Sequence, residues 1–276
     1  MKRLLLIIIA FVCTTTAAMA WGRLGHSTVA YIAEQHLTPK AQKALKEYLH
    51  GNSLVSVSSL NDNLKSVMLV DMGSEFPVSG DPRVNTLPHT FEAKAGTFEP
   101  TRVVNDNGRY VKNCLYFIDE YSRNLKANAK NMDDSTRFAQ IISLVHFLGD
   151  MHCPEHIRYL GDDMTIGYYK VIWNGSEIRY HTLWDDAIIS DKRNWSFSDI
   201  AYLMDYGTTR KMIKEYTAGD VWDWGKDCAA SSFCTHGVKP GEKLEKYYTL
   251  KYQRLAQTQI VKAGYRLAKV LNETFK

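Results

Sequence analysis

The stretch that most constrains this chain is DDSTRFAQIISLVHFLGDMHCPEH, residues 133–156. It opens on Asp and Ser residues able to cap a helix, runs on as a strongly apolar helix, and is interrupted at Pro154. Inside the apolar run stand His146 and Asp150, four residues apart and so on one helical face. Neither side chain belongs in an apolar core without a partner. Two readings fit: a hydrogen-bonded pair inside a buried polar network, or a pair of ligands to an ion.

Further histidines and carboxylates weigh towards the ion. In YHTLWDD, His181 and Asp185 repeat the four-residue spacing, and His156 follows His146 by ten positions. One such pair is weak evidence, because many solvated helix faces carry it. Two pairs plus His156, in an apolar helical setting, favour a metal site, with N and O donors at the ~2.0–2.2 Å lengths that zinc takes. His152 has a different offset and is read as orienting a ligand rather than as one.

The first residues read as a leader. Lys2 and Arg3 precede an apolar Leu4–Val12 core, and Ala18-Met19-Ala20 is a small-x-small cleavage site. Residues 1–20 are therefore expected to be a signal peptide, making the protein an exported one, periplasmic or extracellular. No later segment approaches ~20 continuous apolar residues, so no membrane anchor is expected. Cleavage would make Trp21 the first residue. A free α-amine, with a pKa near ~7.7–8.0, can serve as a neutral ligand, and His26 could reach the same ion. Equally, Trp21 could be a hydrophobic plug and His26 a neighbour of the first helix cap; the residues alone leave both open.

Residues 21–276 read as a single, mainly helical all-α domain with long active-site loops. Periodic runs begin near Ser27, after a break at Thr38-Pro39, in VKNCLYFIDEYSRNLKANA, and in a long C-terminal tail. Residues 72–110 are rich in Gly, Pro and Asn and are expected to be loops. YYKVIW and SEIRYH can form a small hairpin about Asn174-Gly175. The formal charge of +4 falls to about +2 once Lys2 and Arg3 leave with the leader. There is no basic tail to hold a duplex, so stable duplex binding is not expected, and recognition of nucleic acid would be local. Cys228 and Cys234 close a short loop and are expected to form a disulfide, which would leave Cys114 to pair with Cys153. No P-loop or GxGxxG pattern offers a rival chemistry.

Five ordered segments, WGRLGH, SLND, PHTFE, VHFLGDMHCPEH and HTLWD, resemble the signatures of the secreted trinuclear-zinc, single-strand-specific nucleases of fungi, plants and bacteria. That family is related to zinc-dependent phospholipases C. The resemblance runs from Trp21 to Asp185 and implies three Zn2+ ions per chain. One would sit on Asp62, His89, His146 and Asp150. A second would take the Trp21 amine and carbonyl with His26, sharing Asp150. The third would take His156, His181 and Asp185. The resemblance further implies that Asp62 orients or deprotonates the attacking water and that Lys65 contacts a phosphate.

The implied reaction is phosphoester hydrolysis by metal-activated water, on single-stranded DNA and RNA and on 3'-nucleotides, by a monomer. A phospholipase C or other phosphodiesterase, or a non-catalytic zinc protein, are the alternatives. Several positions depart from the pattern. Leu60 and Asn61 stand where Trp and Ala are usual, and Asp62 lies 27 residues before His89, with Asp71 and Asp81 as competing carboxylates. Thr90 replaces a base-stacking aromatic, which leaves Phe91 either to stack on a base or to anchor the loop in the core. Glu92 matches a base-binding Asp, and Cys153 replaces a Gln.

Overall fold

Helices in this protein start where short polar side chains can take their free first-turn N–H groups. Asn113 accepts from Tyr116 N to open the helix Cys114–Asn128. Asp133 accepts from Thr136 N at the head of Asp134–Asp150. Thr38 caps Pro39–Tyr48, with Pro at the first helical position, where its missing N–H costs nothing. The computed structural model describes residues 21–63, 89–101, 103–104, 110–111, 113–160, 169–190 and 194–276. The leader, Lys65, Asp71 and Asp81 lie outside the described residues.

The first helix, Arg23–Gln35, packs along the 29-residue C-terminal helix Lys246–Thr274. Gly264 allows that approach, since a Cβ there would lie 2.5 Å from Ile32 Cγ2. Cys114–Asn128 packs on Asp134–Asp150, which also meets the first and last helices. The ligand-bearing helix thus lies at the centre of a helical stack. Its final ten residues, Ile141–Asp150, are all buried. The protein is mainly helical, as expected.

The small sheets refine that expectation. The hairpin forms where Asn174-Gly175 predicts: Lys170–Trp173 pairs antiparallel with Ser176–Arg179, and both turn residues have positive φ (48° and 80°). Phe91–Lys94 is a strand rather than the expected loop. It pairs antiparallel with Pro100–Thr101 and parallel with Ile157–Leu160, in the register Phe91↔Ile157. Phe91 and Ala93 point into the core, while Glu92 is half-buried. Phe91 is therefore the core anchor and has no exposed face for a base to stack on.

The expected disulfides do not form: the four cysteines among the described residues are all free thiols. Cys228 lies on the buried face of the helix Val221–Ser232, its sulfur 3.6 Å from Gln259 Oε1, whereas Cys234 is exposed on the following turn. Six residues of helix rise ~9 Å, beyond the ~7 Å Cα separation a disulfide can bridge. Cys153 faces Asp185 rather than Cys114.

Candidate metal centre

Asp150 ends the central helix, and imidazoles from two other segments and from one turn back in the same helix converge on its carboxylate. His89 Nδ1 lies 2.6 Å from Oδ2, His26 Nε2 3.2 Å from Oδ1, and His146, one turn back, 3.4 Å from Oδ2. His146 also faces Asp62 Oδ1 at 3.5 Å and stacks on His26 with ring centroids 4.1 Å apart. All five side chains are buried.

Local backbone geometry brings them together. Trp21 is wholly buried, and the first helix begins at Arg23, so His26 lies in its first turn rather than ahead of it. Three glycines leave room for this. A Cβ on Gly22 would meet Asp186 Oδ1 at 1.9 Å, one on Gly25 would meet Trp21 Cβ at 2.8 Å, and one on Gly149 would meet His26 Nδ1 at 2.6 Å. Gly22 N–H donates to the Asp185 carbonyl at 2.9 Å, which ties Trp21 to the segment that carries the other His/Asp pair.

The third group is built by the parallel strands. His156 immediately precedes Ile157–Leu160, His89 stands two residues before Phe91–Lys94, and His156 Nδ1–H donates to His89 O at 2.6 Å. His181 and Asp185 span a short helix and a π-turn, Leu183–Ala187, and still meet, with Nε2 3.1 Å from Oδ2. Single π-turns recur at functional sites. Tyr180 and Trp184 anchor this segment through the hydroxyl of Tyr248, at 2.6 and 3.2 Å.

Electrostatics set the protonation states. Burial alone would lower the pKa of His146, but Asp150 and Asp62 outweigh it and hold it at about 9. Burial would raise Asp150, yet His146 and His89 hold it well below the carboxylate range. Burial pushes Asp185 up to about 6, against the pull of His181. Burial keeps His156 and His26 low, helped by His181 and His146 respectively. Burial also drives the Cys153 thiol well up.

The donor atoms match a metal's needs. His146 Nδ1–H donates to Ser58 O at 2.9 Å, which leaves Nε2 facing two carboxylates, where a metal can take the place of its proton. His146 Nε2, His156 Nε2 and His26 Nε2 are buried and make no hydrogen bond among the described residues. Buried ring nitrogens without a hydrogen bond, set beside carboxylates, are suited to hold a cation. Three groups of buried donors lie within 4.8 Å of one another: His26/His146/Asp150, Asp62/His89/His146 and Cys153/His156/Asp185. Eight of the nine expected ligands thus contribute side chains to one contiguous buried cluster, and Trp21 is tied to its edge. The residue missing from the expected set is Cys153. His152 does not orient a ligand: its Nδ1–H donates to Leu148 O at 2.7 Å and its Nε2 accepts from Arg266 at 2.8 Å.

Residues 21–276 match the family model described as S1/P1 Nuclease. The chain belongs to that family. Among curated relatives of this nuclease, it is 26% identical to Endonuclease 2 of Arabidopsis thaliana over 279 residues, covering 92% of this chain and 90% of the relative. It is 25% identical to Nuclease P1 of Penicillium citrinum, over 92% of this chain and 97% of the relative. Nuclease S1 of Aspergillus oryzae is 24% identical over 97% of this chain and 96% of its own length. The protein is a hydrolytic enzyme, a nuclease with three buried groups able to hold metal. Among the described residues no helix is long and apolar enough to cross a membrane.

Proposed function

We propose that this nuclease carries three zinc ions and cleaves single-stranded DNA and RNA, with 3'-nucleotidase activity, residues 21–276 forming one catalytic domain. The observation that carries the reading is the Asp150 carboxylate, with imidazoles within 3.4 Å of both oxygens and no apolar screen between them. A carboxylate so placed can bridge two ions. The first is assigned to Asp62, His89, His146 and Asp150. The second goes to His26, Asp150 and the Trp21 amine and carbonyl after removal of residues 1–20 by export. The third goes to His156, His181 and Asp185. N and O donors in such sets suit zinc.

When bound, zinc supplies Lewis acidity, lowering the pKa of water towards ~7 and offering positive charge to phosphoryl oxygens. The chain's own residues prepare this. Ser58 O and His89 O fix the tautomers of His146 and His156, so that each presents a lone pair inward. Asp62 orients the attacking water and takes its proton. Lys65 is assigned to a phosphate oxygen and Glu92 to a base by the resemblance, and Phe91, being buried, takes no part in stacking. The near-neutral charge supports local recognition by a monomer rather than a long duplex footprint.

The test incubates metal-replete mature protein with single-stranded DNA, duplex DNA, RNA, 3'-nucleotides and phosphatidylcholine, alongside elemental analysis. Cleavage of single strands and about three zinc ions per chain are expected. Lipid turnover without nucleic-acid turnover, or full activity in zinc-free protein, would overturn the reading.

A further inference from the structure

Cys153 occupies a place that the proposed third centre does not use. Its sulfur lies 3.6 Å from Asp185 Oδ1, while His181 Nε2 lies 3.1 Å from the other oxygen, Oδ2. Cys153 Sγ, a ring nitrogen of His156 and a carboxylate oxygen of Asp185 lie within 4.8 Å of one another, all buried. His156 contributes an independent sign of a ligand. Its Nδ1–H is spent on His89 O, and its Nε2 is a buried lone pair with no hydrogen bond among the described residues. A tetrahedral ion with Zn–S of ~2.3 Å and Zn–O of ~2.0–2.1 Å places sulfur and oxygen about 3.6 Å apart. That is the separation seen.

We propose that Cys153 is a direct thiolate ligand of the third ion, giving that centre a mixed nitrogen, oxygen and sulfur donor set. The inference rests on the three-ion reading above. On binding, the S–H bond breaks, the proton leaves to solvent and sulfur bonds to the ion; no redox change is involved. A sulfur donor biases the centre towards zinc, cadmium and cobalt over magnesium or manganese. It also fills a position that an all-N/O catalytic centre would leave to water or substrate. Phosphate must then expand the coordination sphere or displace the thiolate.

The test replaces zinc with cobalt(II) in the mature protein and in Cys153→Ser, a near-isosteric change, reading metal stoichiometry and the near-ultraviolet sulfur-to-cobalt charge-transfer band. The wild type should bind three cobalt ions and show the band. Cys153→Ser should lose the band, keep the other two ions, and bind the third at least roughly tenfold more weakly. Three ions with no band, or a band unchanged in Cys153→Ser, would overturn the proposal and leave Cys153 a hydrogen-bond donor to Asp185. A wild type that binds only two ions, with a His156→Ala variant that binds the same two, would instead remove the third centre and this inference with it.

Discussion

Asp150 lies within 3.4 Å of His26, His89 and His146, so its negative charge holds together donors from three separate segments. Asp150→Asn keeps the shape and removes the charge. Two ions should be lost or weakened, with activity down at least roughly a hundredfold, because even indirect changes around metals cost ~10–100-fold in affinity or activity. His152→Gln, a change to a residue facing Arg266 rather than an ion, should cost far less activity. Equal or reversed losses would count against these roles. His146 yields a pH prediction for metal-free protein. Its folded pKa is about 9 against 6.5 unfolded, so the native state binds the extra proton between those values. Its stabilisation is complete below about pH 6.5 and is lost as pH rises through about 9. Melting temperatures of chelated protein should therefore fall across that window, and fall less in His146→Gln. Zinc-loaded protein should lack the fall, since the ion replaces the proton; identical pH profiles with and without zinc would refute this.

Helices and non-local strands differ in how much of them the chain's local order reveals. The caps at Thr38, Asn113 and Asp133 sit within three residues of the N–H groups they accept from, so those helices are legible locally. So is the hairpin, whose turn needs positive φ at Asn174 and Gly175. The four-residue spacing of His146 and Asp150 is legible for the same reason. The strand Phe91–Lys94 is not, because its partner lies far along the chain, as His89 and His156 do at 67 positions apart. Cys228 and Cys234 mislead because CAASSFC looks like a closed loop but continues a helix. Lys65 could be assigned only by resemblance. The helix contacts carry two tests. Gly149→Ala puts a methyl 2.6 Å from His26 Nδ1, between the first and central helices. It should reduce zinc content and activity together while helix content, read by circular dichroism, holds. Arg266 bonds His152 Nε2, Asp227 and the Tyr216 carbonyl, joining the C-terminal helix to the end of the ligand helix. Arg266→Met should destabilise the fold by roughly 1–3 kcal/mol by denaturant titration, since the buried His152 Nε2 loses its donor while Lys262 still pairs with Asp227. A loss under about 0.5 kcal/mol would show that the link carries little.

Across the molecule, the candidate metal-binding groups come from almost the whole described chain between Trp21 and Asp185, and the C-terminal helix braces them from behind. Under the three-ion proposal, assembly of the site depends on where the mature chain begins. Trp21 is buried, its carbonyl meets His26 N–H at 3.3 Å, and the next residue donates to the Asp185 carbonyl. An amide nitrogen at Trp21 is a poor ligand, because its lone pair is delocalised into the peptide bond. A free amine, with a pKa near ~7.7–8.0, is a good one. Leader removal would then be part of building the centre as well as part of export. A form beginning at Ala20 should fold, keep the ions held by His89, His146 and His156, and lose affinity for the ion shared by His26 and Asp150. Its activity should fall with that ion, and adding excess zinc should restore part of it by mass action. Zinc titration of the two forms, prepared with and without Ala20, separates the cases. Equal stoichiometry, affinity and turnover would remove the Trp21 amine from the ligand set and leave the indole as a core anchor for the first helix.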